Sequence, residues 1–205
     1  MAAPGNTTAL RAETFDNLQL NAGIVLKNLD YSSIASASAL KSAIASAITA
    51  GTTILGATRG GGTFTVTRET RTPEIDGMRY PFIGSDFVDS TDAYLSTTLV
   101  EITPGNIEVS LGSGRATTSG GKTTITMNTA FDDSDYLDNI CWIGDLADGR
   151  LVLICLKNAI NTADFSLTYT DKGEGTLAVE FHARQAAVDD YDTAPFEVVF
   201  FGSAT

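Results

Sequence analysis

Basic side chains, histidine and cysteine are scarce in this 205-residue chain: 13 Lys and Arg stand against 25 Asp and Glu, with one His and two Cys. The formal charge of -12 excludes tight nucleic-acid binding by the single chain, because gripping phosphates needs a basic surface that displaces counterions. It suits a surface that repels DNA, and equally one kept soluble by charge. Two cysteines are too few for a disulfide framework, and the apolar flanks of Cys141 and Cys155 point to buried free thiols made in a reducing cytoplasm. A three-residue loop Ala147 to Gly149 would set Cys141 opposite Cys155, whereas a two-residue Asp148-Gly149 turn would set it opposite Leu156. Long apolar runs are absent too. The longest is Leu151 to Leu156, so no membrane anchor is expected, and Met1-Ala2-Ala3-Pro4-Gly5 has no basic stretch before an apolar core, so no signal peptide is expected.

Hydrophobic residues make up 43% of the chain and its 19 glycines are scattered, which allows one packed domain over residues 13–205 behind a small, polar and flexible N-terminal arm over residues 1–12. Phe15 to Leu29 reads as a strand, or a strand pair bent at Gly23. Ile34, Ala37, Leu40, Ile44 and Ile48 recur at helical spacing, predicting an amphipathic helix to Ala50 with Ser32 or Ser33 as N-cap and Gly51 as terminator. A clean alternation through Thr63-Phe64-Thr65-Val66-Thr67-Arg68 predicts a strand, as does that through Ala93 to Ile102. Thr103-Pro104 opens a short helix ending near Leu111-Gly112. Gly112 to Lys122 reads as a Ser, Thr and Gly loop before a strand over Thr123 to Thr129. Two hairpins follow, Ile140 to Ile143 with Leu151 to Leu156 and Phe165 to Thr170 with Thr176 to Ala183, and Phe196 to Phe201 closes the sheet. The fold class is mainly β: an antiparallel β-sandwich or barrel with one packed α-helix, since no helix of crossover length separates successive strands.

Arg68 to Gly84 stands apart. Asp76-Gly77 favours a tight turn, and the flanks carry Arg68, Glu69, Arg71, Glu74 and Arg79. A hairpin so polar cannot bury a face of its own, so it is expected to be an arm that docks on another subunit rather than a solvent-exposed excursion.

Candidate chemistry is thin. Alternation places His182 beside Glu180 and Arg184 on a polar strand face, opposite Phe181, which disfavours a catalytic base. Ser38-Ala39-Leu40-Lys41 matches the Ser-x-x-Lys of some acylating enzymes but lies in an Ala/Ser-rich helix without a companion motif. Asp132-Asp133-Ser134-Asp135 with Asp138 lacks the spacing, turn glycine and terminal Glu of a calcium loop and reads as a solvated connector, as does Asp189-Asp190-Tyr191-Asp192. Arg59-Gly60-Gly61-Gly62 is followed by a strand instead of a helix, so it is a hinge and not a phosphate cradle. No catalytic, metal or cofactor site is expected, and paired carboxylates for glycoside hydrolysis lack an aromatic platform, with 8% aromatics and a lone Trp142.

Three stretches resemble a known family: Gly56-Ala57-Thr58-Arg59-Gly60-Gly61-Gly62-Thr63-Phe64 running to Tyr80-Pro81-Phe82; Trp142-Ile143-Gly144-Asp145 through to Leu156-Lys157-Asn158-Ala159; and Leu167 through Thr170-Asp171-Lys172-Gly173-Glu174-Gly175-Thr176 to Phe181-His182-Ala183. Together they are similar to the major tail tube protein of long-tailed siphophages. The resemblance implies a β-sandwich with a flanking helix, assembled in the host cytoplasm into the virion tail as stacked hexameric rings. Those rings surround a tape measure protein and meet a tail terminator, and viral DNA passes through an acidic bore without tight binding. It also assigns contacts between rings to the hairpin, with Arg68, Glu69, Arg71, Glu74, Asp76, Gly77 and Arg79 as interface residues, and to residues 1–12. The inner tube of a contractile tail shares this geometry, and a carbohydrate-binding or hydrolytic β-domain is the alternative from another class.

Overall fold

The computed structural model describes residues 11–19, 21–187 and 192–202. It is a three-layer arrangement of two antiparallel sheets and a helix. The first sheet has the order β1 (Ile24–Lys27), β6 (Leu137–Asp145), β7 (Leu151–Asn161), β10 (Phe196–Phe201). The second joins β2 (Thr58–Arg71), β3 (Phe87–Leu99), β9 (Thr176–His182) and the short β8 (Ser166–Thr168). Strand β7 belongs to both: most of it pairs with β6 and β10, and after Asn158 turns to a φ of 46° its end pairs with β9 through Ile160↔His182 and Asn161↔Phe181.

Period-two alternation sorts the side chains into two cores. Val25, Ile140 and Leu156 of the first sheet meet Leu95, Leu99, Leu177, Val179 and Phe181 of the second. Leu26, Cys141, Ile143, Leu151, Leu153 and Cys155 point the other way, onto Ala37, Leu40 and Ala47 of helix α1 (Ala37–Ala50). Strands β6 and β7 are therefore covered on both faces, which is why their sequences read as near-continuous apolar runs. Each fully buried Leu, Ile or Phe contributes about 1.5–3 kcal/mol. A second helix, α2 (Pro104–Ser110), starts where the sequence places it: the Thr103 hydroxyl accepts from the Asn106 amide at 3.2 Å. Asn106 in turn donates to Leu55 O (2.9 Å) and Glu101 O (2.7 Å), tying the helix to the end of the sandwich.

The mainly β, antiparallel fold class holds, with two helices, but several local expectations change. Helix α1 is capped by Ser36, whose hydroxyl accepts from Ala39 N at 3.2 Å. Ser32 and Ser33 donate instead to Asp30. Gly51 ends the helix at φ 68°, as expected. The strand expected from Phe15 shrinks to Ile24–Lys27, because Gly23, at φ 75°, bends the chain around Trp142, where a Cβ would lie 2.5 Å from the indole nitrogen. The expected loop at 112–122 contains β4 (Gly114–Ser119), paired with β5 (Lys122–Met127) across a Gly120-Gly121 turn. Both glycines have positive φ (57° and 79°), the conformation a two-residue hairpin turn demands.

The cysteines are not free thiols: Cys141 and Cys155 form a disulfide. The three-residue Ala147 to Gly149 loop is the one adopted, with Leu146 N donating to Arg150 O at 2.9 Å, and it puts the two residues directly opposite with Cα atoms 4.1 Å apart. Both side chains point under α1 and are fully buried. The supposed hinge Arg59 to Gly62 is an irregularity within β2. Thr58 pairs with Leu99 and Gly62 with Thr97, so residues 59–61 bulge against the single residue Thr98. The bulge is held by the Thr97 hydroxyl on Gly61 O (2.9 Å) and by an Arg59–Glu174 ion pair of 2.5 Å.

Candidate interaction surface

The β2–β3 ladder runs on after the rest of its sheet has stopped. Pairing of β3 with β9 ends at Tyr94↔His182, whereas β2 and β3 continue through Thr67↔Asp92, Arg68↔Thr91, Glu69↔Ser90, Thr70↔Val88 and Arg71↔Phe87. Residues 72–86 then connect the two strands. The hairpin is thus longer and set further back than the sequence suggested. Its strands close at Arg71 and Phe87, and the Asp76-Gly77 step lies in the connection as a local turn in which Met78 N donates to Ile75 O at 2.9 Å, with Gly77 at φ 88°. A two-stranded ribbon with both faces in solvent has no core to hold it, and polar side chains stitch it instead. Arg71 Nε donates to Asp89 Oδ1 (2.7 Å) while its guanidinium lies 5.7 Å from the Phe87 ring centre, and Ser90 donates to Glu69 (3.0 Å). Thr72 donates to Asp86 (2.5 Å).

Of the seven residues expected at an interface, Arg68, Glu69 and Arg71 lie in this ladder, while Glu74, Asp76, Gly77 and Arg79 lie in the connection. The side chains of Arg68, Glu74, Asp76 and Arg79 have no partner among the described residues. The sequence reading missed the apolar content of the tip. Ile75, Tyr80, Phe82, Ile83, Phe87 and Val88 are exposed by 51–108%, an accumulation that marks contact surfaces on soluble proteins. The Tyr80-Pro81-Phe82-Ile83 run was the available signal.

The root of the arm is anchored on the outer face of the second sheet. His182 stacks on Tyr94 at 5.1 Å, its Nδ1 lies 2.8 Å from Asp92 Oδ2 and its Nε2 lies 3.1 Å from Glu180 Oε1. Arg184 Nη1 approaches the other oxygen of Asp92 at 3.6 Å. Asp92 sits at the step where β3 leaves β9, so this cluster fastens the ribbon to the body. Glu180 shares the strand face with His182, as the alternation predicts.

The remaining candidates are dispersed. Ser38 and Lys41 are on the solvent face of α1. Asp135 departs from the solvated connector expected of its run. Its side chain is 1% exposed in a 3-10 turn (Asp133–Asp135) and is ion-paired with Arg115 of β4, which also reaches Asp132 at 3.3 Å. Burial works against its charge, but the Arg115 hydrogen bond and the Asp132 amide (2.7 Å) prevail and hold the carboxyl below its ordinary range. Asp189, Asp190 and Tyr191 lie outside the described residues, as do residues 1–10 of the N-terminal arm. A cavity of about 160 Å³ opens between the sheets beside Trp142, Phe64, Leu95 and Thr97, and no ionisable side chain lines it. Among the described residues no group of three or more His, Cys, Asp or Glu is placed to hold a metal, and no helix is long and apolar enough to cross a membrane. No protein-family model matches the chain, and no curated protein matches it.

Proposed function

We propose that this chain is a self-assembling structural protein, the subunit of a phage tail tube, stacked as hexameric rings around a tape measure protein and ended by a tail terminator. The observation that carries the reading is the projecting β2–β3 arm, whose tip exposes Ile75, Tyr80, Phe82 and Ile83 beyond the two packed cores. A monomer gains nothing from large apolar side chains in water, and their burial against a neighbour supplies about 25 cal/mol per Å². Two further features support the reading. The sandwich with a flanking helix is the fold that the resemblance implies, and the charge of -12 suits a conduit that must not hold DNA phosphates at each successive ring.

The ladder register supplies a clean test. Joining Arg71 to Phe87 through Asn-Gly, in place of residues 72–86, keeps every strand pair and removes the apolar tip. This variant should retain the circular dichroism of the parent and fail to polymerise in sedimentation at high concentration. Polymers as long as those of the parent would refute the role given to the arm.

A further inference from the structure

We infer that Asp76-Gly77 is a site of spontaneous backbone isomerisation, at which the native chain converts Asp76 to a β-linked isoaspartyl residue while its other Asp-Gly step, Asp148-Gly149, is protected by the fold. In the reaction the Gly77 amide nitrogen attacks the Asp76 side-chain carboxyl carbon, and one water leaves as a five-membered succinimide closes. Water then adds back. Attack at the former side-chain carbonyl restores aspartate, and attack at the former main-chain carbonyl breaks that carbon's bond to nitrogen, leaving the chain running through the β-carbon. One water is lost and one regained, no electron is transferred, and the mass is unchanged.

Ring closure needs a side chain free to swing, an amide nitrogen not held elsewhere, and no bulk on the following residue. Asp76 meets all three conditions. Its carboxyl has no hydrogen-bond or ion-pair partner among the described residues, and the Gly77 N–H makes no backbone hydrogen bond within the connection. Gly77 also stands in open space, where an added Cβ would find no atom within 4 Å. Within residues 72–86 the Asp76-Gly77 step is spanned by a single turn bond, Met78 N to Ile75 O, which engages neither the Asp76 carboxyl nor the Gly77 amide.

Asp148-Gly149 has the same two residues and the opposite surroundings. Arg150 N donates to Asp148 Oδ1 at 3.0 Å and Arg150 Nε bonds the other oxygen. These bonds, the backbone one foremost, hold the carboxyl below its ordinary range and favour the ionised form, from which oxygen departs least readily. The Gly149 amide is committed to Leu146 O at 2.9 Å in the three-residue turn between the two most buried strands. The nucleophile and the electrophile are each tied down.

The experiment ages the full-length chain at neutral pH and 37 °C, then maps isoaspartate by enzymatic methyl transfer to the new α-carboxyl and by resistance of the peptide bond to an Asp-specific protease. The expected result is accumulation at Asp76 several-fold above that at Asp148, abolition of the Asp76 signal in Asp76→Glu, whose longer side chain would need a six-membered ring, and equalisation of the two sites when the chain is aged unfolded in urea. Equal accumulation at both sites in the folded chain, or none at Asp76, would overturn the inference. The readout is chemical and holds whether or not the arm is an assembly contact.

Discussion

Asp135 and Phe181 occupy opposite ends of what a sequence reveals about a residue. Phe181 sits in a clean alternation, and among the described residues it is the largest fully buried side chain, 0% exposed between the sheets. Phe181→Ala should cost about 3–5 kcal/mol, read as a lower midpoint in urea unfolding. Asp135 is embedded in an acidic run that looks solvated, yet its side chain is buried against Arg115; nothing in the run itself names a partner twenty residues earlier. Its consequence is an acid-sensitive contribution. The folded carboxyl binds its proton less readily than the unfolded one, so its contribution is complete above the unfolded value of about 4 and fades as pH falls through the lower folded value. Asp135→Asn should therefore lower stability at neutral pH and flatten the loss of stability below about pH 4, measured as thermal midpoints across an acid series. An acid limb as steep as the parent's would contradict this assignment.

At the scale of elements, β9 and helix α1 were legible because burial on one face writes a period into the sequence, and β6 and β7 because burial on both faces writes a continuous apolar run. Strand β4 was not legible: Thr117, Thr118 and Ser119 pair with β5 in a ribbon that buries little, so its composition matches that of a loop. The Arg59 to Gly62 bulge was equally hidden, because three glycines permit many conformations and only the β3 register selects one. The disulfide was half visible. Spacing allowed two registers, and the three-residue turn at Gly149 decides between them. A cross-link closing a loop of this size stabilises by about 3 kcal/mol. Accordingly, the double variant Cys141→Ala, Cys155→Ala should unfold about 2–4 kcal/mol more easily than the oxidised parent in denaturant titrations. Reductant present during unfolding should bring the parent toward the variant and leave the variant unmoved. On helix α1, Ser36→Ala should cost about 1 kcal/mol and Ser33→Ala much less, since Ser36 is the residue whose hydroxyl accepts the helical amide.

At the scale of the whole molecule, the arm gathers six exposed apolar side chains in one projection, whereas those of the body, such as Phe15, Ile48, Met127, Tyr169 and Phe200, are spread over its surface elements. Two cores hold all the described buried apolar side chains except Val152 and Ile160, while the ribbon beyond the His182–Asp92 anchor carries its apolar groups into solvent. The sequence showed the charges of this arm and not the exposure of its tip, because exposure depends on where neighbouring strands end, and β9 stops at His182. An acidic chain with an exposed apolar projection is what the proposed self-assembly along one direction requires. Negative-stain electron microscopy of the purified full-length chain at high concentration tests it most directly. Rings or hollow tubes of uniform width are expected; a population that stays monomeric at every concentration would contradict the proposed assembly.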